Sequence, residues 1–323
     1  MSDPGSRRPR RALDGLLLLD KPTGMTSNAA LQRVKWLFQA RKAGHTGSLD
    51  PLASGMLPIC FGEATKFAGY LLDADKSYRV QARFGVQTDT GDAEGQPVAT
   101  HLRDPILRPE LEAALASLTG PIQQVPPMYS ALKQQGKRLY AIAREGREVP
   151  REPRLVSIRE FLLEAYDPVT PVFRVRCSKG TYVRSLVEDL ARQLGTLAHV
   201  IALRRLWVEP FGGQTMASLR QVEALAALPD GAALVALDGL LRPLQDALPP
   251  WPAVRLDGPM ALRLSRGGTA PAPPGHLPGL VRLYGPGESF LGVGEVGTDG
   301  MATPRRLVAR DPHENPGEWA AGL

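Results

Sequence analysis

Cysteine is nearly absent: the 323 residues contain two, Cys60 and Cys177, far apart in apolar or strand-like surroundings. They form no CxxC or Cys/His cluster, which argues against a zinc site, excludes a disulfide framework and fits a reducing cytosol. The five histidines are scattered without an HxxxH pair, so no metal site is legible. Near the N-terminus the only apolar run is Leu16 to Leu19, too short for a signal peptide or a membrane span. The expectation is a cytoplasmic protein with no membrane partner. The first 250 residues hold neither GxGxxG nor GxxxxGK, which leaves NTPase and dinucleotide chemistry without a foothold. There is no internal repeat.

What is present is an ordinary globular composition, 43% hydrophobic and 22% charged, long enough for one large or two ordinary domains. The net charge of +6 suggests a polyanionic partner. From Trp251 onward seven Lys/Arg balance seven Asp/Glu, so the whole excess lies in residues 1–250. Arginine outnumbers lysine 31 to 8, and every lysine precedes Gly180. A lysine is therefore the unusual choice here. Residues 1–14 carry Arg7, Arg8, Arg10 and Arg11 among Pro, Gly and Ser, and read as a disordered, solvated basic tail.

Periodicity gives a mixed α+β order of elements. Leu16–Leu19 reads as a buried strand, and Ser27 as the cap of a helix carrying Leu31, Val34, Leu37 and Phe38. Met56–Phe61 is strand-like, and Ala64 to Leu72 marks a second helix. Tyr78, Val80, Ala82 and Phe84 alternate with Arg79, Gln81 and Arg83, which puts Tyr78 on the apolar face of a strand whose other face is basic. Thr88–Gly95 is an acidic, turn-rich loop. Its spacing only loosely resembles a calcium loop, lacking the fixed glycine and terminal glutamate, and it is set aside. Strands 154–163 and 172–178, a helix 182–194 and a strand 199–208 follow. Residues 216–247 are helical in pattern, and Leu248–Pro252 reads as a linker. Short β-type segments then alternate with glycine turns, as in a small β-barrel, and residues 311–323 read as a mobile tail.

The chain is organised around Arg41-Lys-Ala-Gly-His-Thr-Gly-Ser-Leu-Asp-Pro-Leu-Ala-Ser-Gly-Met56. Glycine, proline and small polar residues break any helical or strand period, so it reads as a loop held between packed elements. At its middle stands one carboxylate, Asp50, fixed by Pro51. This string resembles the catalytic motif of pseudouridine synthases in its TruB-family form. Six further blocks are similar to that family's other signatures, in order: Leu17–Gly24, Gly62–Phe67, Lys76–Val80, Met128–Lys133, Cys177–Arg184 and His199–Arg205. The resemblance spans about residues 15–310.

The resemblance implies a catalytic domain over 15–250, with a mixed, largely antiparallel central sheet, and a PUA-like RNA-binding β-barrel over 251–310. It implies isomerisation of uridine 55 in the tRNA T loop, by a monomer needing no cofactor, metal, guide RNA or protein partner. No atoms enter or leave when the base is detached, turned and rejoined through C5, so one ionised carboxylate suffices. By resemblance Asp50 is that carboxylate, Arg184 pairs with it, and Tyr78 stacks on the uracil with its hydroxyl near the sugar. Tyr182 contacts the base or its neighbours, Leu203 lines the pocket, and His45 helps extrude the bases. Lys21 and Lys66 are expected to be phosphate or cleft contacts. A non-catalytic RNA-folding protein and a guide-RNA-dependent synthase are the rival readings. The intact Asp50, Tyr78 and Arg184 set disfavours the first, and the Met128–Lys133 block and short N-terminus disfavour the second.

Overall fold

The four leucines Leu16–Leu19 are all buried because their strand is covered on both faces. Leu16 and Leu18 pack with Met56, Cys60 and Phe67 on one side. Leu17 and Leu19 meet Leu57, Ile59 and the apolar stripe of the helix Ser27–Leu37 on the other. Each such leucine contributes about 1.5–3 kcal/mol, which makes this strand an anchor for the elements beside it. The computed structural model describes residues 10–309 except 102, 131, 135 and 230.

The main sheet contains Gly15–Lys21 (β1), Ala43–His45 (β2), Ser54–Phe61 (β3), Lys76–Phe84 (β4), Gly120–Gln124 (β5), Arg154–Ala165 (β6), Val172–Cys177 (β7), Ala198–Val208 (β8) and Ala217–Ser218 (β9). Its order is β9-β1-β3-β8-β4-β7-β6-β5, with β2 paired to β3. The β1–β9 and β3–β8 pairs are parallel and the others antiparallel, the mixed arrangement expected. On β4 the expected alternation holds: Tyr78, Val80, Ala82 and Phe84 are buried while Arg79 and Arg83 are exposed. The buried face packs on Leu186, Val187 and Leu190 of the helix Val183–Gln193. The opposite face carries exposed Arg79, Arg83 and, on β7, Arg174.

Ala253–Arg255 (β10), Ala270–Pro271 (β11), Gly279–Gly285 (β12), Ser289–Val296 (β13) and Met301–Leu307 (β14) form a second sheet, ordered β10-β12-β13-β14-β11. It has a core of its own around Val254, Leu264, Leu283 and Val296. It is also docked: Phe290, Val293 and Trp251 enter the cluster of Leu16, Leu18 and Phe67. The Phe67 and Phe290 rings stand 5.8 Å apart, and those of Tyr70 and Trp251 4.9 Å. Leu248–Pro252 is therefore no free tether, since Leu248 is buried in that seam.

Three local expectations are corrected. Ala43–His45 and residues 54–55 are strand rather than loop, because β3 pairs with the first, and the second, the start of β3, is paired by β8 and β1. The helix cap is Thr26, whose hydroxyl accepts from Ala29 N at 3.1 Å, while Ser27 is committed elsewhere. The single helix from Ala64 to Leu72 is a 3-10 turn, Gly62–Lys66, and a helix, Ala68–Asp73, broken at Phe67. Residues 1–9 of the basic tail and the whole C-terminal tail 311–323 lie outside the described residues. Arg11 is anchored, its guanidinium on Asp238 and its N–H on Gln39 O at 2.8 Å.

Candidate active site

The loop that carries Asp50 is fastened from three directions. Ser27, at the start of its helix, takes both backbone groups of Leu49: its hydroxyl accepts from Leu49 N at 2.7 Å and donates to Leu49 O at 3.0 Å. Gly24 N donates to Pro51 O at 2.8 Å, and Thr46 N to Pro58 O at 3.1 Å. At the loop's far end Gly55 has φ +102°, and a Cβ there would stand 2.1 Å from Arg205 O. Only glycine lets β3 and β8 close at this point.

Arg184, in the first turn of the helix Val183–Gln193, reaches Asp50: Nε lies 3.0 Å from Oδ2. Its Nη2 donates to Tyr129 O at 2.7 Å and its Nη1 to Thr90 O. The helix start is held by Gln124, whose amide bonds Tyr182 N at 2.8 Å and Tyr182 O at 3.2 Å. With 6% of its side chain exposed against 41% for Asp50, Arg184 is the enclosed partner and Asp50 the one open to a substrate. The expected pairing is present.

The guanidinium favours the ionised form of Asp50, but burial outweighs it. Desolvation in the crowded cleft is the larger influence and raises the Asp50 pKa; Arg184 opposes it, and Asp92 adds to the rise. A raised folded pKa means that ionising Asp50 costs stability: its contribution is present below the unfolded pKa and lost as pH rises through the folded one. If the ionised form is the active one, the acid limb of the rate lies above the ordinary value of 3.8. In Arg184→Lys, where the fork is lost, that limb is expected to move higher. A pH profile of single-turnover rates checks both; a limb unmoved by the substitution contradicts the coupling.

Sequence reasoning missed Asp92. It lies in the acidic loop that was set aside, and it is buried with its Oδ2 3.8 Å from Arg184 Nε. Thr90 Oγ1 donates to its carboxylate at 2.6 Å and Glu94 N at 3.1 Å. The loop is stitched to β8 by Ala93 N to Val200 O (2.9 Å) and Val200 N to Gly91 O (3.0 Å). The sequence signal is Thr88 and Thr90 interleaved with the acids Asp89, Asp92 and Glu94 after the Tyr78 strand. Only long-range pairing with β8 turns that spacing toward Arg184.

Tyr78 is buried, opposite Arg205 in the β4–β8 register and within the cluster that contains Leu49 and Ala53 of the Asp50 loop. Burial raises its pKa; the facing Arg205 guanidinium pulls the other way. Leu203 is in the same cluster and also lines a cleft of about 350 Å³ with Leu52, Glu94, Arg79 and Arg204. Tyr182 is half-buried, its hydroxyl pKa raised by burial.

Lys21 is wholly buried at the end of β1, donating to Pro22 O and Met25 O at 2.8 and 2.7 Å. Burial lowers its pKa to about 8 against the pull of Asp50 and Glu94. Of the expected phosphate or cleft contact, the structure shows a lysine sealed beneath the Asp50 loop, its charge felt by Asp50 and Glu94. His45, on β2, has a buried Nδ1 without a partner among the described residues, and burial followed by Arg205 lowers its pKa. Lys66 is not brought to this group. It pairs with Glu63 at 2.6 Å and donates to Leu307 O at 3.2 Å, at the seam with the C-terminal sheet. Among the described residues no cluster of three or more His, Cys, Asp or Glu could hold a metal ion.

Three family models match this chain in succession from residue 35 to 308. They are the TruB family pseudouridylate synthase N-terminal domain over residues 35–183, the tRNA pseudouridylate synthase B C-terminal domain over 184–249, and the pseudouridine synthase II TruB C-terminal domain over 252–308. A tRNA pseudouridine synthase B of Nitrosococcus oceani is 51% identical over 92% of this chain and 95% of its own length. That of Ectopseudomonas mendocina is 49% identical over 94% and 97%. Among solved structures, a chain of a Cbf5–Nop10–Gar1 complex superposes with a TM-score of 0.72 at 23% identity, covering 96% of this chain and 91% of that one. A chain of an H/ACA RNP bound to a substrate RNA containing 2′-deoxyuridine gives 0.69 at 20%, covering 92% and 85%. The structures share the fold; the sequences at half identity over nearly the full length share more. This chain belongs to the TruB family of pseudouridine synthases.

Proposed function

We propose that this protein isomerises uridine to pseudouridine in tRNA, at position 55 of the T loop. The observation that carries the reading is the Asp50 carboxylate, 41% exposed, held 3.0 Å from an enclosed Arg184 in a chain half identical to tRNA pseudouridine synthases B. The exposed arginines of β4 and β7, and Arg79 and Arg204 beside the cleft, suit an RNA backbone.

The T-loop uridine is stacked in the folded arm, so its extrusion costs a few kcal/mol before chemistry begins. Asp50 then acts at C1′, either by attack or by stabilising a sugar intermediate, while the N1–C1′ bond breaks. Arg184 orients the carboxylate and Asp92 orients Arg184. The detached base stays against Tyr78 and Leu203 while it turns and C5 is joined to C1′. The C5 proton leaves and N1 is protonated, so atoms balance without a cofactor. The enzyme works alone in the cytoplasm as a monomer, without guide RNA. The chains of the Cbf5–Nop10–Gar1 complex and the H/ACA RNP are similar in fold only, at 20–23% identity.

The test is tritium release from tRNA labelled at uridine C5, with purified protein and no added RNA or partner. One pseudouridine per tRNA is expected, abolished when the T-loop uridine alone is replaced by cytidine. Undiminished release from the cytidine transcript would place the modified base elsewhere.

A further inference from the structure

Beside the Asp50–Arg184 pair the fold buries another arginine, and among the described residues no carboxylate forms a salt bridge with it. Arg205 on β8 is 1% exposed and is the bulkiest of the fully buried side chains. Its Nε donates to Met56 O at 2.6 Å and its Nη2 to Gly47 O at 3.1 Å. The first acceptor belongs to β3 and the second to the Asp50 loop, so one guanidinium spans the loop and the strand that ends it. Tyr78 is its cross-strand partner, and the guanidinium faces the phenol oxygen, favouring its ionised form. After burial, the same charge lowers the pKa of Lys76 and His45, and it adds to the lowering of Lys21. Burying so large a cation is costly without compensation. A packed apolar side chain would close the β3–β8 gap more cheaply.

We propose that Arg205 is a positioning residue for the reaction: it holds the Tyr78 phenol and the Asp50 loop as one unit and supplies the charge against which the phenol oxygen works. This rests on the reading of Asp50 and Tyr78 as residues of the reaction. A planar fork can meet two carbonyls and still present charge to a third oxygen, which a lysine ammonium cannot do in the same geometry. The guanidinium charge acts on the proton of the Tyr78 hydroxyl. Loss of that proton leaves an oxygen anion already facing a positive charge. The other groups around this pair are Asp50 on the loop, Lys21 on β1, His45 on β2, Lys76 on β4 and Cys177 on β7.

The test is a double-mutant cycle on single-turnover rates with tRNA, with RNA affinity measured in parallel. Arg205→Gln is expected to slow the reaction about a hundredfold while affinity stays within about threefold. Arg205→Lys, which keeps the charge, is expected to recover at least about tenfold of that loss. In a Tyr78→Phe background the Gln substitution is expected to cost less than about threefold, because the group it acts through is gone. Losses that multiply in the Phe background would overturn the proposal and leave Arg205 a structural cation. So would Lys and Gln variants that are equally slow. Should the Gln variant fail to fold, the Lys variant in the same cycle decides by the same criterion. Failure of the underlying reading would show separately, as a Tyr78→Phe protein or an Asp50→Asn protein that reacts at the parental rate.

Discussion

Asp50→Asn is expected to bind tRNA about as tightly as the parent and to form no detectable pseudouridine, a loss on the order of ten-thousandfold or more. Asparagine keeps the size and planarity of the side chain and removes the anion. The loop does not depend on that charge: Ser27, Gly24 and Thr46 hold it through backbone groups of Leu49, Pro51 and Pro58. Arg184 stays in place as well, because Thr90 O, Tyr129 O and Asp92 remain as its partners. Folding should be unharmed, since the raised pKa of Asp50 marks its ionised form as one the fold tolerates at a cost. Melting temperature and RNA affinity are measured beside turnover. Residual activity within about a hundredfold of the parent would mean that the carboxylate is not the central group.

Tyr78→Phe is expected to keep near-normal RNA binding and to lose at least about a hundredfold in single-turnover rate. The ring carries the packing: it sits in the cluster with Leu49, Ala53, Val80 and Leu203, and phenylalanine fills the same volume. Only the hydroxyl is removed. Burial raises its pKa, so the resting group is a neutral phenol. Arg205 opposes the rise and makes transient loss of the proton less costly. Two further carboxylates stand near the site, Asp92 and Glu94, the latter with its pKa raised by burial. Asp92 is committed to Arg184, Thr90 and Glu94 N, which suits orientation rather than proton transfer. Glu94 lines the cleft with Leu203 and is the competing base. A Phe variant within a few-fold of the parent would shift the role to Glu94 and leave Tyr78 as a stacking platform.

Much of this arrangement was legible in one sequence. The alternation on β4 placed Tyr78 on a buried face, because a strand side-chain period of two admits no other reading once Val80, Ala82 and Phe84 are apolar. The glycines and proline around Asp50 marked a shaped loop, and seven ordered motifs named the family. Local chemistry determines such features, so they survive without coordinates. The rest depended on chain-distant contacts. Thr26 and Ser27 are equivalent as caps by residue type, and only the position of Leu49 decides that Ser27 holds the Asp50 loop. Asp92 looked like one acid in a solvated turn until β8 drew its loop toward Arg184. Lys21 and Lys66 look alike in their motifs, yet one is sealed beneath the site and the other clips the C-terminal sheet. Arg205 stood unremarked next to Arg204, since a strand sends neighbours to opposite faces. Sheet order alone decides that one of them pairs with Asp20 near the surface while the other is buried against Tyr78.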